Sequence, residues 1–149
     1  MKKTGILNAE LIYHLSLMRH TDKIMICDAG FPVPEGKTLV DVSLVAGLPT
    51  VEQVFKAVCN DLLIESITVA EGFKKIHTQL AAEIVNKFQN QEINEVQSPQ
   101  MFVLAYEKDV KLFIRTGDVK PCGNMLLSSA SGVPRVFDSL NVCFENVID

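Results

Sequence analysis

His20 and Asp28 bracket a short apolar run, Ile24 to Cys27, in the stretch MRHTDKIMICDAGFPVP (Met18–Pro34). An imidazole titrates near neutrality, so it can both donate and accept a proton at cellular pH. A carboxylate just after a buried strand can hydrogen-bond a ligand or orient an imidazole. Together the two residue types suit proton transfer on a polar substrate. Each also has an ordinary reading. A histidine at a helix C-terminus interacts with the last carbonyls, and an aspartate ahead of a DAG bend closes an Asx-turn. Residue types alone leave both readings open. A phosphatase-type nucleophilic Asp28 has less support, because Gly30 stands where a second carboxylate would serve a metal-assisted phosphoryl site.

The other reactive side chains form no familiar constellation. Cys122 in KPCGN could be a nucleophile, but no histidine is near it in sequence and nothing there marks an activated thiol, so an ordinary turn cysteine is the favoured reading. Arg115 and Asn124 flank a Gly/Pro-rich turn, where a polar pair can grip a sugar or cap the loop. AEGFKK carries one glycine and no phosphate-loop pattern, and G-x-S-x-G is absent. Cys27, Cys59, Cys122 and Cys143 are scattered without C-x-x-C, which points to free thiols in a reducing, cytoplasmic compartment. His14, His20 and His77 lack ligand spacing, so no metal site is expected.

These residues must be positioned by a chain of 149 residues, the size of one domain. It is 48% hydrophobic with a formal charge of −4, which gives no electrostatic case for nucleic acid or an anionic membrane. No apolar run approaches the roughly 20 residues of a membrane span. MKKTGILN lacks the apolar segment of a signal peptide.

The patterns predict a helix over NAELIYHLSLMRH, capped by Asn8, with Leu11, Ile12, Leu15 and Met18 on one face. A strand follows at Lys23–Cys27, then a loop, then a strand in TLVDVSLV. Thr50 and Gln53 form a capping box for a helix with Val51, Val54, Phe55, Val58 and Leu62 on its buried stripe. IESITVA reads as a strand and Gly72–Phe88 as one helix; a short strand and a short helix at PQMFVLAYE come next. VKLFIRTG and NMLLSSAS read as two more strands, and the tail from Gly132 has no clear period. Strands alternating with helices predict a single-domain α/β fold, layered, with a largely parallel sheet and helices on its faces. Ligands of such sheets bind beyond the carboxyl ends of the strands, where Asp28 and Gly117 fall.

Five pieces, in this order and spacing, resemble the D-ribose pyranase / L-fucose mutarotase family: GILN (Gly5–Asn8), HTDKI (His20–Ile24), DAGFPVP (Asp28–Pro34), VDVSLVAGLP (Val40–Pro49) and IRTGD with GN (Ile114–Asp118, Gly123–Asn124). The resemblance runs from Lys2 to about Gly132. It implies a mutarotase or pyranase domain at 1–132 and a C-terminal extension of that domain at 133–149, beyond the usual family end. That extension is expected to pack at a subunit interface or to form a loosely ordered arm. The implied activity is the interconversion of anomers or ring forms of a free monosaccharide, without cofactor or metal. The resemblance makes His20 the acid/base, Asp28 a partner of both substrate and histidine, and Cys122, Gly123 and Asn124 further sugar contacts. It also implies ring-shaped homodecamers of two stacked pentamers, with sites at subunit boundaries.

The chain departs from the family pattern in the late turn. D-ribose pyranases carry Tyr-Ala-Asn and L-fucose mutarotases Tyr-Gly-Asn, where this chain has Cys122-Gly123-Asn124. A sugar-binding histidine of the pyranases falls near Ser98-Pro99-Gln100, which has none. A thiol is a weak donor and shorter than a phenol. On this basis L-fucose is favoured, with D-ribose, or a non-catalytic sugar-binding accessory role, as the alternatives.

Overall fold

The computed structural model describes residues 1–148. Asn8 starts α1 (Ala9–Leu17): its side-chain oxygen accepts from the Leu11 N–H at 2.9 Å, satisfying a donor that a helix start leaves free. Leu11, Leu15 and Met18 are buried along one side. The helix ends at Leu17, and the Arg19 guanidinium donates to the carbonyls of Ser16 and Met18 at 3.0 and 2.8 Å. Arg19, not His20, therefore serves the last carbonyls, which corrects the ordinary reading of His20.

β1 (Lys23–Cys27) and β3 (Ile64–Ala70) span the expected residues. β2 (Leu39–Asp41) is shorter than TLVDVSLV suggests. The backbone leaves the sheet after Val42, whose N–H donates to the Arg115 carbonyl, and forms the loop 43–49. α2 (Val51–Asp61) opens with the Thr50–Gln53 capping box complete in both directions. The single helix expected from Gly72 to Phe88 is instead two, α3 (Phe73–Ile76) and α4 (Thr78–Lys87). The break is at His77, whose φ of −103° and ψ of 53° are not helical, and Ile76 is turned outward. β4 (Glu92–Val96), α5 (Ser98–Leu104), β5 (Val110–Arg115), β6 (Met125–Ser129) and α6 (Pro134–Leu140) complete the chain.

The six strands lie in the order β2-β5-β1-β6-β3-β4. β1, β2 and β5 run parallel, as do β3 and β4, while β6 is antiparallel to both its neighbours, β1 and β3. Both faces are covered, so the central strands are almost continuously apolar. Ile24, Ile26, Leu112, Ile114, Ile67 and Leu127 pack towards α1, α2 and α4. Met25, Cys27, Phe113 and Leu126 pack on Met101 and Ala105 at α5 and on Phe31. Phe31 also stacks on Phe102 of α5 with ring centroids 5.3 Å apart, which ties the loop after β1 to that helix. The chain is a single-domain α/β fold, and among the described residues no helix is long and apolar enough to cross a membrane.

The tail carries one core anchor. It forms α6 and then returns Phe144 to the core, against Phe55 and Phe88 at centroid distances of 6.1 and 6.2 Å. The ammonium groups of Lys56 and Lys87 lie 5.6 and 5.3 Å from the centre of its ring. Asn60 clamps its backbone, accepting from the Phe144 N–H at 2.7 Å and donating to its carbonyl at 2.9 Å. Lys56 is buried yet bonded to Glu52 and Glu83; burial pushes its pKa down, but the two carboxylates outweigh that and hold it above the ordinary lysine value.

The loop 43–49 is held over the turn after β5. Gly47 donates to the Gly117 carbonyl at 2.6 Å, and Gly117 donates to the Pro49 carbonyl at 2.9 Å. A Cβ on Gly117 would lie 2.2 Å from the Leu48 carbonyl oxygen and 2.5 Å from that of Val45, so this approach requires glycine.

Phe144→Ala is expected to cost about 3 kcal/mol through the cavity it leaves, read as a lower urea midpoint with an unchanged slope. Gly117→Ala, which sets a methyl against backbone, is expected to cost at least about 2 kcal/mol. Gly132→Ala, where nothing lies within 4 Å of the added Cβ, should stay within about 0.5 kcal/mol of the parent.

Candidate active site

Because β6 is antiparallel to β1, the start of β6 lies beside the end of β1. This brings Asn124 to Asp28 across 96 residues of sequence. The Asn124 side-chain oxygen accepts from the Asp28 N–H at 3.0 Å, and its Nδ2 donates to Asp28 Oδ2 at 3.1 Å. A backbone N–H can only donate and a carboxylate can only accept, so the two bonds define the orientation of the amide. Asp28 Oδ1 also accepts from the Gly30 N–H at 2.9 Å, the Asx-turn of the DAG bend. The local and the ligand-facing readings of Asp28 are therefore compatible. Each oxygen makes one intramolecular bond and keeps acceptor capacity, and the residue is half-exposed.

The turn that carries Asn124 rests on His77. The His77 ring is stacked 5.1 Å from Phe73, and its Nε2 donates to the Pro121 carbonyl at 3.0 Å. Its edge lies under Gly123: a Cβ there would be 3.2 Å from Cε1 and Nε2 of the ring and 3.3 Å from Val51 Cγ2. Cys122 has a left-handed φ of 59°, and its Sγ would lie 3.4 Å from a Cβ on Gly72. Of the three turn residues singled out in the sequence, Asn124 meets Asp28 directly, while Gly123 and Cys122 precede it and pack against His77, Val51 and the Gly72 turn. Residue types alone did not single out His77. The available signal was its place four residues after Phe73 on the apolar stripe.

Asp118, another residue not assigned from the sequence, is the buried anchor of this edge, 4% exposed. Its Oδ2 accepts from the Val51 N–H at 3.0 Å, at the start of α2, and its Oδ1 from the Lys120 N–H at 2.9 Å. A carboxylate at a helix N-terminus is stabilised by the aligned peptide dipoles. The Thr116 hydroxyl donates to the Cys27 carbonyl at 3.0 Å and accepts from the Asp118 N–H at 3.1 Å. Arg115, at the end of β5, bonds Asp41 at 3.3 Å, while its buried Nε has no partner among the described residues. The Ser43 hydroxyl, with help from Arg115, holds the Asp41 carboxyl below the usual aspartate value. Burial pushes the Cys27 thiol up to about 12, so it stays protonated and unreactive at neutral pH.

His20 is at the other end of β1. Its ring is 56% exposed, and Nε2 lies 3.1 Å from Oε2 of Glu65, near the start of β3. The strand between His20 and Asp28 rises by about 3.3 Å per residue, which separates them by roughly 15 Å. Within one chain Asp28 therefore lies away from His20, and the carboxylate on the imidazole is Glu65. No sequence signal marked Glu65, because its nearness to His20 follows from β6 lying between β1 and β3. Elsewhere an open apolar groove is lined by Leu7, Leu11, Leu48, Val54 and Ile148 among others, with none of the candidate residues on its walls. Among the described residues no three His, Cys, Asp or Glu side chains are grouped as a metal would need.

Comparison with known proteins agrees with this architecture. Residues 1–133 match the RbsD / FucU transport protein family. A D-ribose pyranase of Glaesserella parasuis serovar 5 (strain SH0165) is 35% identical over 140 residues, covering 90% of this chain and 99% of that protein. The structure of Bacillus subtilis RbsD complexed with D-ribose superposes with a TM-score of 0.77 at 37% identity, covering 87% of this chain and 98% of that one. The fucose mutarotase of Streptococcus pneumoniae, in complex with L-fucose, shares the fold with a TM-score of 0.69 at 16% identity, over 89% of this chain and 100% of its own. With its sheet order, its Asp28–Asn124 pairing and its matched length in hand, the chain belongs to the RbsD / FucU family.

Proposed function

We propose that this chain is a sugar-ring isomerase that interconverts the pyranose and furanose forms of free D-ribose. The observation that carries the reading is the Asp28–Asn124 pair at the carboxyl edge of β1, in a chain 35% identical to a D-ribose pyranase over nearly the full length of both. A carboxylate and an amide with spare acceptor and donor capacity suit the hydroxyls of a sugar. The backbone and thiol of Cys122 and Gly123 line the same turn. L-fucose was favoured on Gly123 and on the missing tyrosine and histidine of the pyranase grip. A Cβ at Gly123 would lie 3.2 Å from the His77 ring and 3.3 Å from Val51, so packing accounts for a small residue there and Gly123 by itself carries less weight for fucose.

Opening a cyclic hemiacetal needs a base for the anomeric hydroxyl proton and an acid for the ring oxygen; closing it needs the reverse. One imidazole can serve both directions. In this reading His20 is that group, and Asp28 and Asn124 hold the sugar. Since the two halves lie at opposite ends of β1, the site requires a second copy of the chain whose His20 end meets this carboxyl edge. Apolar side chains beside that edge support such a contact: Leu44, Val45 and Val119 are 75%, 61% and 65% exposed. A ring-shaped decamer satisfies this requirement, and four unpaired thiols fit a cytoplasmic setting.

Magnetisation-exchange NMR on D-ribose, with L-fucose as the comparison sugar, should show faster ring-form exchange with the protein present. His20→Ala should slow the catalysed exchange by about 10²–10⁴-fold. Sugar binding without faster exchange would instead favour an accessory binding role, and no effect on either sugar would end the reading. A His20→Ala chain and an Asp28→Asn chain, each inactive alone, should recover about a quarter of the parent rate when unfolded and reassembled together, because each site draws on two copies. No recovery in verified mixed oligomers would rule out the shared site.

A further inference from the structure

We infer that Glu65 is a positioning residue for His20 and that it makes Nδ1 the reacting nitrogen of the imidazole. This rests on His20 being the proton-transfer group of the proposed isomerisation. The geometry is specific. Glu65 Oε2 lies 3.1 Å from His20 Nε2. A carboxylate can only accept, so Nε2 carries the proton, and the neutral ring presents its lone pair at Nδ1. The other carboxylate in this turn, Asp22, is committed elsewhere: its Oδ2 accepts from the Arg19 N–H at 2.9 Å. Among the described residues, Glu65 is the one acidic side chain paired with the ring.

The backbone beneath His20 is held as firmly as the ring. Thr21 occupies the left-handed region at φ 72°, which a β-branched residue avoids. It is kept there by bonds to the end of β6. The Thr21 N–H donates to the Ser129 carbonyl at 2.9 Å, and the Ser129 N–H to the Asp22 carbonyl at 2.8 Å. Backbone strain of this kind persists where surrounding contacts over-determine it, and it clusters at functional positions. β6 thus fixes the main chain of His20, and Glu65, from the strand on the other side of β6, fixes the side chain.

The chemistry balances without a co-reactant. Nδ1 takes the proton of the anomeric hydroxyl, and the C1–O pair becomes a carbonyl. The bond from C1 to the ring oxygen breaks, its electrons pass to that oxygen, and the imidazolium returns the same proton to it. Glu65 stabilises the transient imidazolium through Nε2–H, as an adjacent carboxylate does. A half-exposed ion pair adds almost nothing to stability. A purely structural Glu65 would therefore leave ring exchange unchanged when replaced.

The test pairs kinetics with the ¹⁵N spectrum of the imidazoles at alkaline pH, using Glu65→Gln and Glu65→Leu in the full-length protein, with His20→Asn to assign the signals. The parent should show His20 as the Nε2–H form. Both variants should move it towards a mixture of tautomers, lower kcat on D-ribose tenfold or more, on the order of a positioning effect, and leave KM nearly unchanged. An unshifted His20 signal, or full kcat in both variants, overturns the role of Glu65. If the parent itself exchanges no sugar, the isomerase reading falls, and the Nδ1 assignment with it. A parent spectrum in which Nδ1 carries the proton overturns the assignment directly.

Discussion

Two hydrogen bonds between Asp28 and Asn124 join the end of the first strand to the start of the last. They exist because β6 alone runs against the direction of its neighbours. In a fully parallel sheet the residue before β6 would lie at the amino edge, and the turn 121–124 could not reach Asp28. The rest of the carboxyl edge is arranged around that junction. Asp118 ties the β5 turn to the start of α2, Thr116 ties it to the end of β1, and His77 supports the turn from below. Backbone and short polar side chains bond this edge together, so the proposed sugar would meet groups that are already oriented.

The same sheet places the imidazole at its opposite end. A single copy keeps His20 and the Asp28–Asn124 pair apart. In the proposed reading this makes assembly part of the chemistry, and it would give a physical reason for apolar side chains such as Leu44 and Val119 to stand exposed beside a polar edge. It also separates two kinds of precision. Asp28 and Asn124 are set by the fold of one chain, whereas in the proposed site the distance from His20 to the sugar would be set by how two chains pack.

Much of this was legible from residues alone. The apolar run Lys23–Cys27, the IESITVA strand and the Thr50–Gln53 box each carry a local signal, and the structure has them where that signal falls. The candidate residues were legible as a set of types in order: His20, Asp28, and the Cys122–Asn124 turn. What was not legible depends on partners distant in sequence. The stripe from Phe73 to Phe88 reads as one helix because nothing local says that His77 turns inward to the Pro121 carbonyl. Gly123 reads as a specificity residue because the ring beneath it is 46 positions away. The tail reads as patternless because Phe144 is one anchor, and one residue makes no period. The separation of His20 from Asp28 within one chain follows from the strand of five residues between them, which holds its ends apart.

The position of β6 has a further consequence, for the order in which the chain can fold. β2, β5 and β1 form one half of the sheet and β3 with β4 the other, and no hydrogen-bonded pairing joins β1 directly to β3. The two halves are connected only through a strand that leaves the ribosome after both. Until Met125–Ser129 has been synthesised, the polypeptide can hold two partial sheets with a gap between them and unsatisfied edges on either side of it. Closure is then a single late event between segments far apart in sequence, the type of step that makes folding slow. The act that completes the sheet also sets Asn124 against Asp28, so the nascent chain gains its central strand and its carboxyl-edge junction at the same moment.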